Sequence, residues 1–491
     1  MKKAILFLLV FSYAAFGESV EERLNRMDKE LKEIREQLKK QKEENQKLKD
    51  KLKGKDSHEG HDHDSHKGHD HGSHKGHDHS KHGKSHGKVH SLLTPNKFMD
   101  DFHMSMFIHS VFGGSNKRNA VIEKLQGDGH SPDKRGAELQ QIEFSIGGRV
   151  KGWDAEAHIV YSEDEVEVEE AFITSNEMPY GLELKIGYYF TEFGLMNKEH
   201  LHNWIWVDQP IVVSRMFGGE GMRGAGVRLK WNLPTNWKSA VLIGAQDSSG
   251  DLMVNFHGTG HDHGEEEEGH DDEHEEFEEG IANRPLVDTE TRTLEDIAWS
   301  FRWENQFKIA ADTRMSFGLS AAYGSNATGD NGYTFLYGAD LKFQGKMKGH
   351  RPDWVWQTEY IRRKYHASAF DFEDDDDPSE NFSLGSANVH DWGAYTMFVK
   401  NLAPKWSAGL RADYVSGSGN SFEGEEVVQR NDDENRSDRW RLSPLLIYHP
   451  NDYFSVKFQY SYDDAKFEGG SKAHLFWLGF EILLGGHSHK E

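Results

Sequence analysis

The chain has no cysteine among its 491 residues, so neither a disulfide framework nor a thiolate metal site is open to it. Proline is scarce, 11 in all, and no apolar run is long enough for a comfortable membrane helix. An inner-membrane helical bundle is thereby excluded. Cationic side chains are in deficit: 58 Lys and Arg against 83 Asp and Glu leave a net charge of −25, and no nucleic-acid partner is expected. The mean hydropathy of −0.79 is that of a polar protein. A transmembrane barrel would give the same value, because only alternate residues of its strands need to face lipid.

What the chain does have is alternation. From Gly181 to Phe190, Leu182, Leu184, Ile186, Tyr188 and Phe190 share one face, while Glu183, Lys185 and Gly187 take the other. Val227, Leu229 and Trp231 alternate with Arg228 and Lys230 in the same way. Leu410, Ala412 and Tyr414 alternate with Arg411 and Asp413. Segments of about ten residues with an aromatic-rich apolar face have the length of tilted transmembrane strands. Sixteen are expected, near 102–113, 139–150, 152–162, 166–175, 181–190, 225–233, 238–247, 297–308, 311–323, 333–344, 353–364, 391–401, 405–416, 438–448, 453–463 and 472–484. Alternate connections are short, rich in Pro, Asn and Gly, and often leave through Trp or Tyr, as at 233–237, 402–406 and 449–453. The intervening ones at 114–137, 191–224, 248–296, 365–390 and 417–437 are long. The fold class read from this pattern is an all-β transmembrane barrel of about 16 antiparallel strands over 100–485. It would sit in the outer membrane of a Gram-negative-type bacterium, surrounded by lipid, with both termini in the periplasm.

The segments before the barrel differ in kind. Residues 1–17 read as a signal peptide: Lys2 and Lys3, a short apolar core, then Ala15-Phe16-Gly17. Over 18–54, Leu24, Met27, Leu31, Ile34, Leu38, Gln41, Asn45, Leu48 and Leu52 keep a 4-3 spacing, which predicts a periplasmic coiled-coil helix. Leu at a with Ile at d favours three or four strands over two. A homotrimer through coiled coil and barrel is therefore expected. Residues 55–92 form a His-rich linker with little to bury, expected to be disordered. It repeats His58, His61 and His63 as His66, His69 and His71, then as His74, His77 and His79, followed by His82 and His86. A second cluster, His257, His261, His263, His270 and His274, lies among Glu and Asp in a long outer loop. Imidazole and carboxylate without thiolate suit zinc or another divalent cation. Such an ion is expected as ligand or cargo rather than as a tightly bound cofactor. A tail over 486–491 adds His487 and His489.

The block 193–210 (FGLMNKEHLHNWIWVDQP), with 217–222 (FGGEGM) and 226–231 (GVRLKW), resembles the phosphate-selective porin type of outer-membrane protein. It is most similar to the His-rich, zinc-responsive outer-membrane proteins often labelled TonB-dependent receptors. The resemblance implies a sixteen-stranded trimeric porin whose third outer loop, here 191–224, folds inward as a constriction. His200, His202, Arg215, Glu220 and Arg223 are then its constriction candidates. Arg228, Lys230, Arg411 and Asp413 are candidates for the lumen wall. In such porins arginines and lysines line the path, a part that Arg215, Arg223 and Arg228 would play. The acidic balance of this chain departs from that pattern, and no plug domain precedes the first strand. The function expected is a non-enzymatic channel that gathers and passes divalent metal, zinc favoured. The alternatives are an anion- or phosphate-selective porin, and a structural envelope anchor or metal buffer without transport.

Overall fold

The computed structural model describes residues 100–485, apart from 128, 164–165, 176, 261–277, 349–350 and 373–380. The leader, the heptad segment, the histidine linker, the C-terminal tail and His261, His263, His270 and His274 lie outside the described residues. No helix among the described residues is long and apolar enough to cross a membrane.

Sixteen strands close into one antiparallel barrel. They are β1 (Asp100–Ser115), β2 (Gly136–Val150), β3 (Trp153–Tyr161), β4 (Val166–Ser175), β5 (Leu182–Phe190), β6 (Arg223–Asn232), β7 (Lys238–Gln246) and β8 (Ala298–Ala310). The second half is β9 (Thr313–Ser325), β10 (Tyr333–Gln344), β11 (Trp354–Ala367), β12 (Ala387–Ala403), β13 (Trp406–Ser418), β14 (Arg439–Asn451), β15 (Phe454–Ala465) and β16 (Ala473–Gly485). Each strand pairs with its sequence neighbour, and β16 returns to β1 with His109 opposite Glu481. The sixteen segments expected from alternation each fall on one of these strands, with ends displaced by up to four residues at β12.

The period-2 pattern explains which face each residue takes. On β8, Trp299 and Phe301 are exposed outward while Ser300 and Arg302 are buried inward. On β13, Leu410 and Tyr414 face out, and Arg411 and Asp413 are buried. A belt of exposed aromatic and aliphatic side chains therefore encircles a charged interior, the inverse of a soluble protein and the arrangement a lipid surround requires. Closure satisfies the backbone at both edges of the sheet. The tight connections match their turns: Lys151 and Gly152, joining β2 to β3, both have positive φ (48° and 84°), as a two-residue hairpin of primed type demands. Both ends of the barrel chain, at β1 and β16, lie on this short-turn face, and β7 ends and β8 begins on the opposite, long-loop face.

A sixteen-stranded ring is wide enough for an aqueous channel, and in this one loops fold inward and pack against the wall. Residues 191–222 run inward, carrying the short helix Ile211–Phe217. Phe193, Trp206, Val212, Met216 and Phe217 pack with Leu336, Ile361 and Val415 of the wall in one buried apolar cluster. The loop between β1 and β2 contributes a second helix, Asn119–Gln126, with Ile122 and Leu125 buried.

Candidate functional site

The inward loop starts at β5 and is tied to the far wall. Near its start, the Gly194 amide donates to Ser320 Oγ on β9 at 3.0 Å. Further on, Trp206 Nε1 donates to the Ser443 carbonyl on β14 at 3.0 Å, and the Val207 amide donates to Gln459 Oε1 on β15 at 2.8 Å. Asp208 is the strongest tie. Arg411 donates to its Oδ1 and Arg441 to its Oδ2, each at 2.7 Å, and Gln459 adds a third bond at 2.8 Å. Burial would raise this carboxyl, but Arg411 and Arg441 overcome that and hold it below the ordinary range. The wall arginines are themselves paired, Arg411 with Asp413 at 2.9 Å and Arg441 with Asp463 at 2.6 Å.

Two cavities flank the segment. One, about 80 Å³, is lined by Leu195, Trp206, Asp208, Lys342, Gln357 and Arg411. The other, about 320 Å³, is reached from the long-loop side and includes Arg215, Glu220, Arg363, Asp433, Arg436 and Arg439.

Along its other edge, the loop meets β2, β3 and β4 through imidazoles and carboxylates. His202 Nδ1 lies 2.7 Å from Glu143 Oε2, and His158 Nδ1 lies 2.9 Å from Glu143 Oε1. His158 and His200 stack with ring centroids 4.1 Å apart. His200 is held on both sides, its Nδ1 2.6 Å from Glu169 Oε2 and its Nε2 2.8 Å from Glu170 Oε2. Only a doubly protonated ring can donate to both carboxylates. Burial opposes that charge, yet Glu169 and Glu170 outweigh it and raise His200 well above its usual value.

Adjacent residues of a regular strand point to opposite faces, so Glu169 and Glu170 both facing the lumen requires an irregularity. The β3–β4 ladder supplies it: His158 pairs with Glu170, and Ile159 pairs with Val168, leaving Glu169 as the extra residue of a bulge. The other oxygen of Glu169, Oε1, turns toward His130 of the first long loop. His130 Nε2 is 3.3 Å from Glu169 Oε1 and 3.1 Å from Glu220 Oε2. Burial works against protonation of His130, but Glu220 and Glu169 bring its pKa up to about 9. Glu143, His158 and His200 form one group with donor atoms within 4.8 Å of one another; His130, Glu167 and Glu220 form a second.

The constriction candidates His200, His202, Glu220 and Arg223 converge on this edge. The buried Arg223 bonds Glu167 and the Glu220 carbonyl. Arg215 is apart from them, donating to the carbonyls of Arg436 and Ser437 across the larger cavity. Arg228 faces the lumen and pairs with Glu183, and Lys230 pairs with Glu304 at 2.9 Å. His257 is buried, with Nδ1 2.5 Å from the Asp288 carbonyl and Nε2 2.9 Å from Ser325 Oγ, so both its nitrogens are engaged in holding its loop to residue 288 and to the end of β9. Sequence reasoning missed His130, Glu143, His158, Glu169 and Glu170. The consecutive glutamates at 169 and 170, within an otherwise alternating strand, were the one visible signal for the bulge.

No protein-family model matches the chain. An uncharacterized protein from Aquifex aeolicus (strain VF5) is 23% identical over 409 residues, 78% of each chain. Among solved structures, the outer-membrane channel DcaP of Acinetobacter baumannii is similar at 9% identity and a TM-score of 0.48, covering 78% of this chain and 97% of that one. The anion-selective porin from Comamonas acidovorans is similar at 8% identity and 0.47, covering 78% and 99%. These likenesses are too distant to assign chemistry. The barrel assignment rests on the chain's own strand pairing and its apolar outer belt.

Proposed function

We propose that the chain is an outer-membrane channel of porin type that gathers and passes divalent metal, with zinc favoured. The observation that carries this is the line of imidazoles and carboxylates, from His202 through Glu143 and His158 to His200 and Glu170, along the edge of the inward loop. Its carboxylates and neutral imidazoles, the protonated His200 apart, are thiolate-free donors that suit zinc-class ions, and acidic groups favour cations over anions. The His-rich linker and the 257–279 cluster would concentrate the same ion, one on each side of the membrane. The heptad repeat supports a homotrimer, and the short turns on the face of the barrel's two ends support termini in the periplasm.

Arg215, Arg363, Arg436 and Arg439 on the larger cavity favour a second reading, an anion-selective channel. Planar-bilayer recording separates the two. Cation-selective reversal potentials in a salt gradient, with current altered by micromolar zinc, are expected. Anion selectivity indifferent to zinc would establish the second reading, and absence of conductance would leave a structural anchor.

A further inference from the structure

His130, Glu167, Glu169 and Glu220 come from three places: the loop after β1, strand β4, and the inward loop. Two of their atoms are buried without a hydrogen-bond partner, His130 Nε2 and Glu169 Oε1, on side chains whose residues are 7% and 0% exposed. This separates the group from its neighbour, where the facing atoms of Glu143, His158 and His200 already lie at hydrogen-bond distances from partners. The two atoms face each other at 3.3 Å in an ion-pair contact that lacks hydrogen-bond geometry, and an ion held between them would engage both.

The spacing fits a zinc-class ion. Ligands bound to zinc at 2.0–2.2 Å in a tetrahedron sit about 3.4 Å from one another. His130 Nε2 is 3.1 Å from Glu220 Oε2 and 3.3 Å from Glu169 Oε1, longer than the tight His200 contacts and close to such an edge. Charge agrees. Glu167, Glu169, Glu170 and Glu220 face two fixed cations, Arg223 and the doubly clamped His200. One divalent ion balances the remainder with His130 neutral, the form in which imidazole is a ligand. Arg223 would be the outer partner that orients Glu167 and Glu220.

The backbone is shaped for this meeting. Gly129 has φ +73°, and a Cβ there would lie 2.3 Å from the Gly219 backbone. The Gln209 amide donates to Ser131 Oγ at 3.2 Å, and Gln209 Nε2 donates to the Gly219 carbonyl at 2.6 Å. The two loops are thus interlocked where the four side chains converge.

We propose that His130 Nε2, Glu169, Glu220 and Glu167 form a resident zinc-class site that clamps the first long loop and the inward loop to β4. This goes beyond the channel assignment, because an enclosed ion joining three elements stabilises the constriction rather than passing through it.

The test is crystallography of the full-length protein with zinc, with data collected on both sides of the zinc absorption edge. An anomalous peak within about 2.2 Å of His130 Nε2, lost in His130→Gln crystals of unchanged barrel, is expected. Glu220→Gln, which keeps the imidazole, should lower zinc affinity at this position by at least the 10- to 100-fold typical of a disturbed outer partner. A site without anomalous signal at saturating zinc, or a peak that persists in His130→Gln, overturns the clamp. Zinc-sensitive conductance without this peak would overturn the clamp alone. The peak without zinc-sensitive conductance would support the clamp and count against metal as cargo.

Discussion

Asp208 shows how much one side chain can hold. It sits between two arginines that have other partners in the wall, so its loss leaves neither guanidinium bare. What goes is the latch on the loop. Asp208→Asn should weaken it by about 1.5–3 kcal/mol, the range for hydrogen bonds to charged groups. Amide exchange over 204–210 would then speed up by roughly 10- to 150-fold, while the strands keep their protection. The pH dependence has a definite sign. A carboxyl held below its unfolded value contributes stability above that value, about 3.9 for Asp, and loses it only as pH falls through the lower folded value. Protection of this segment in the native protein should therefore stay level from neutrality down to about pH 4 and fall only below it. A decline already complete at pH 5 would show that another group holds the loop.

At the scale of elements, the contact between the first long loop and the inward loop depends on Gly129. Gly129→Ala forces a side chain into a left-handed conformation, costing of the order of 1–3 kcal/mol, and drives its Cβ against Gly219. Faster exchange is expected at both 129–135 and 217–222, with the β1–β2 ladder unchanged. If only the first loop responds, the interlock is not energetic. This coupling also marks where the sequence ceases to be legible. All sixteen strands could be read because alternation is a local signal, renewed every two residues. The convergence of the His200 segment on the barrel wall was visible only through a resemblance. Glu143, His158 and His130 could not be found that way: their meeting depends on strand register and loop path, which sequence spacing does not encode. Even the Glu169 bulge, flagged by two consecutive glutamates, says nothing by itself about which histidine those carboxylates will grip.

For the whole molecule, the governing contrast is an apolar exterior around a charged, loop-filled interior. In a soluble protein an exposed Leu410 would tolerate arginine within about 0.5 kcal/mol, as most surface positions do. Here Leu410 is 48% exposed on the outer wall, between Trp406 and Tyr414 on the same face of β13, and its neighbour Arg411 is buried inside. Position 410 should therefore reject the charge that position 411 requires. Leu410→Arg is expected to destabilise the barrel by about 2–4 kcal/mol, the cost of arginine near the bilayer midplane, with Leu410→Ala as the control for lost apolar area. Reversible urea unfolding from phospholipid vesicles measures it. A loss within about 0.5 kcal/mol of the alanine value would mean that this face meets water or protein rather than lipid. A loss in the full range would locate the hydrocarbon at β13, independently of any resemblance to other barrels.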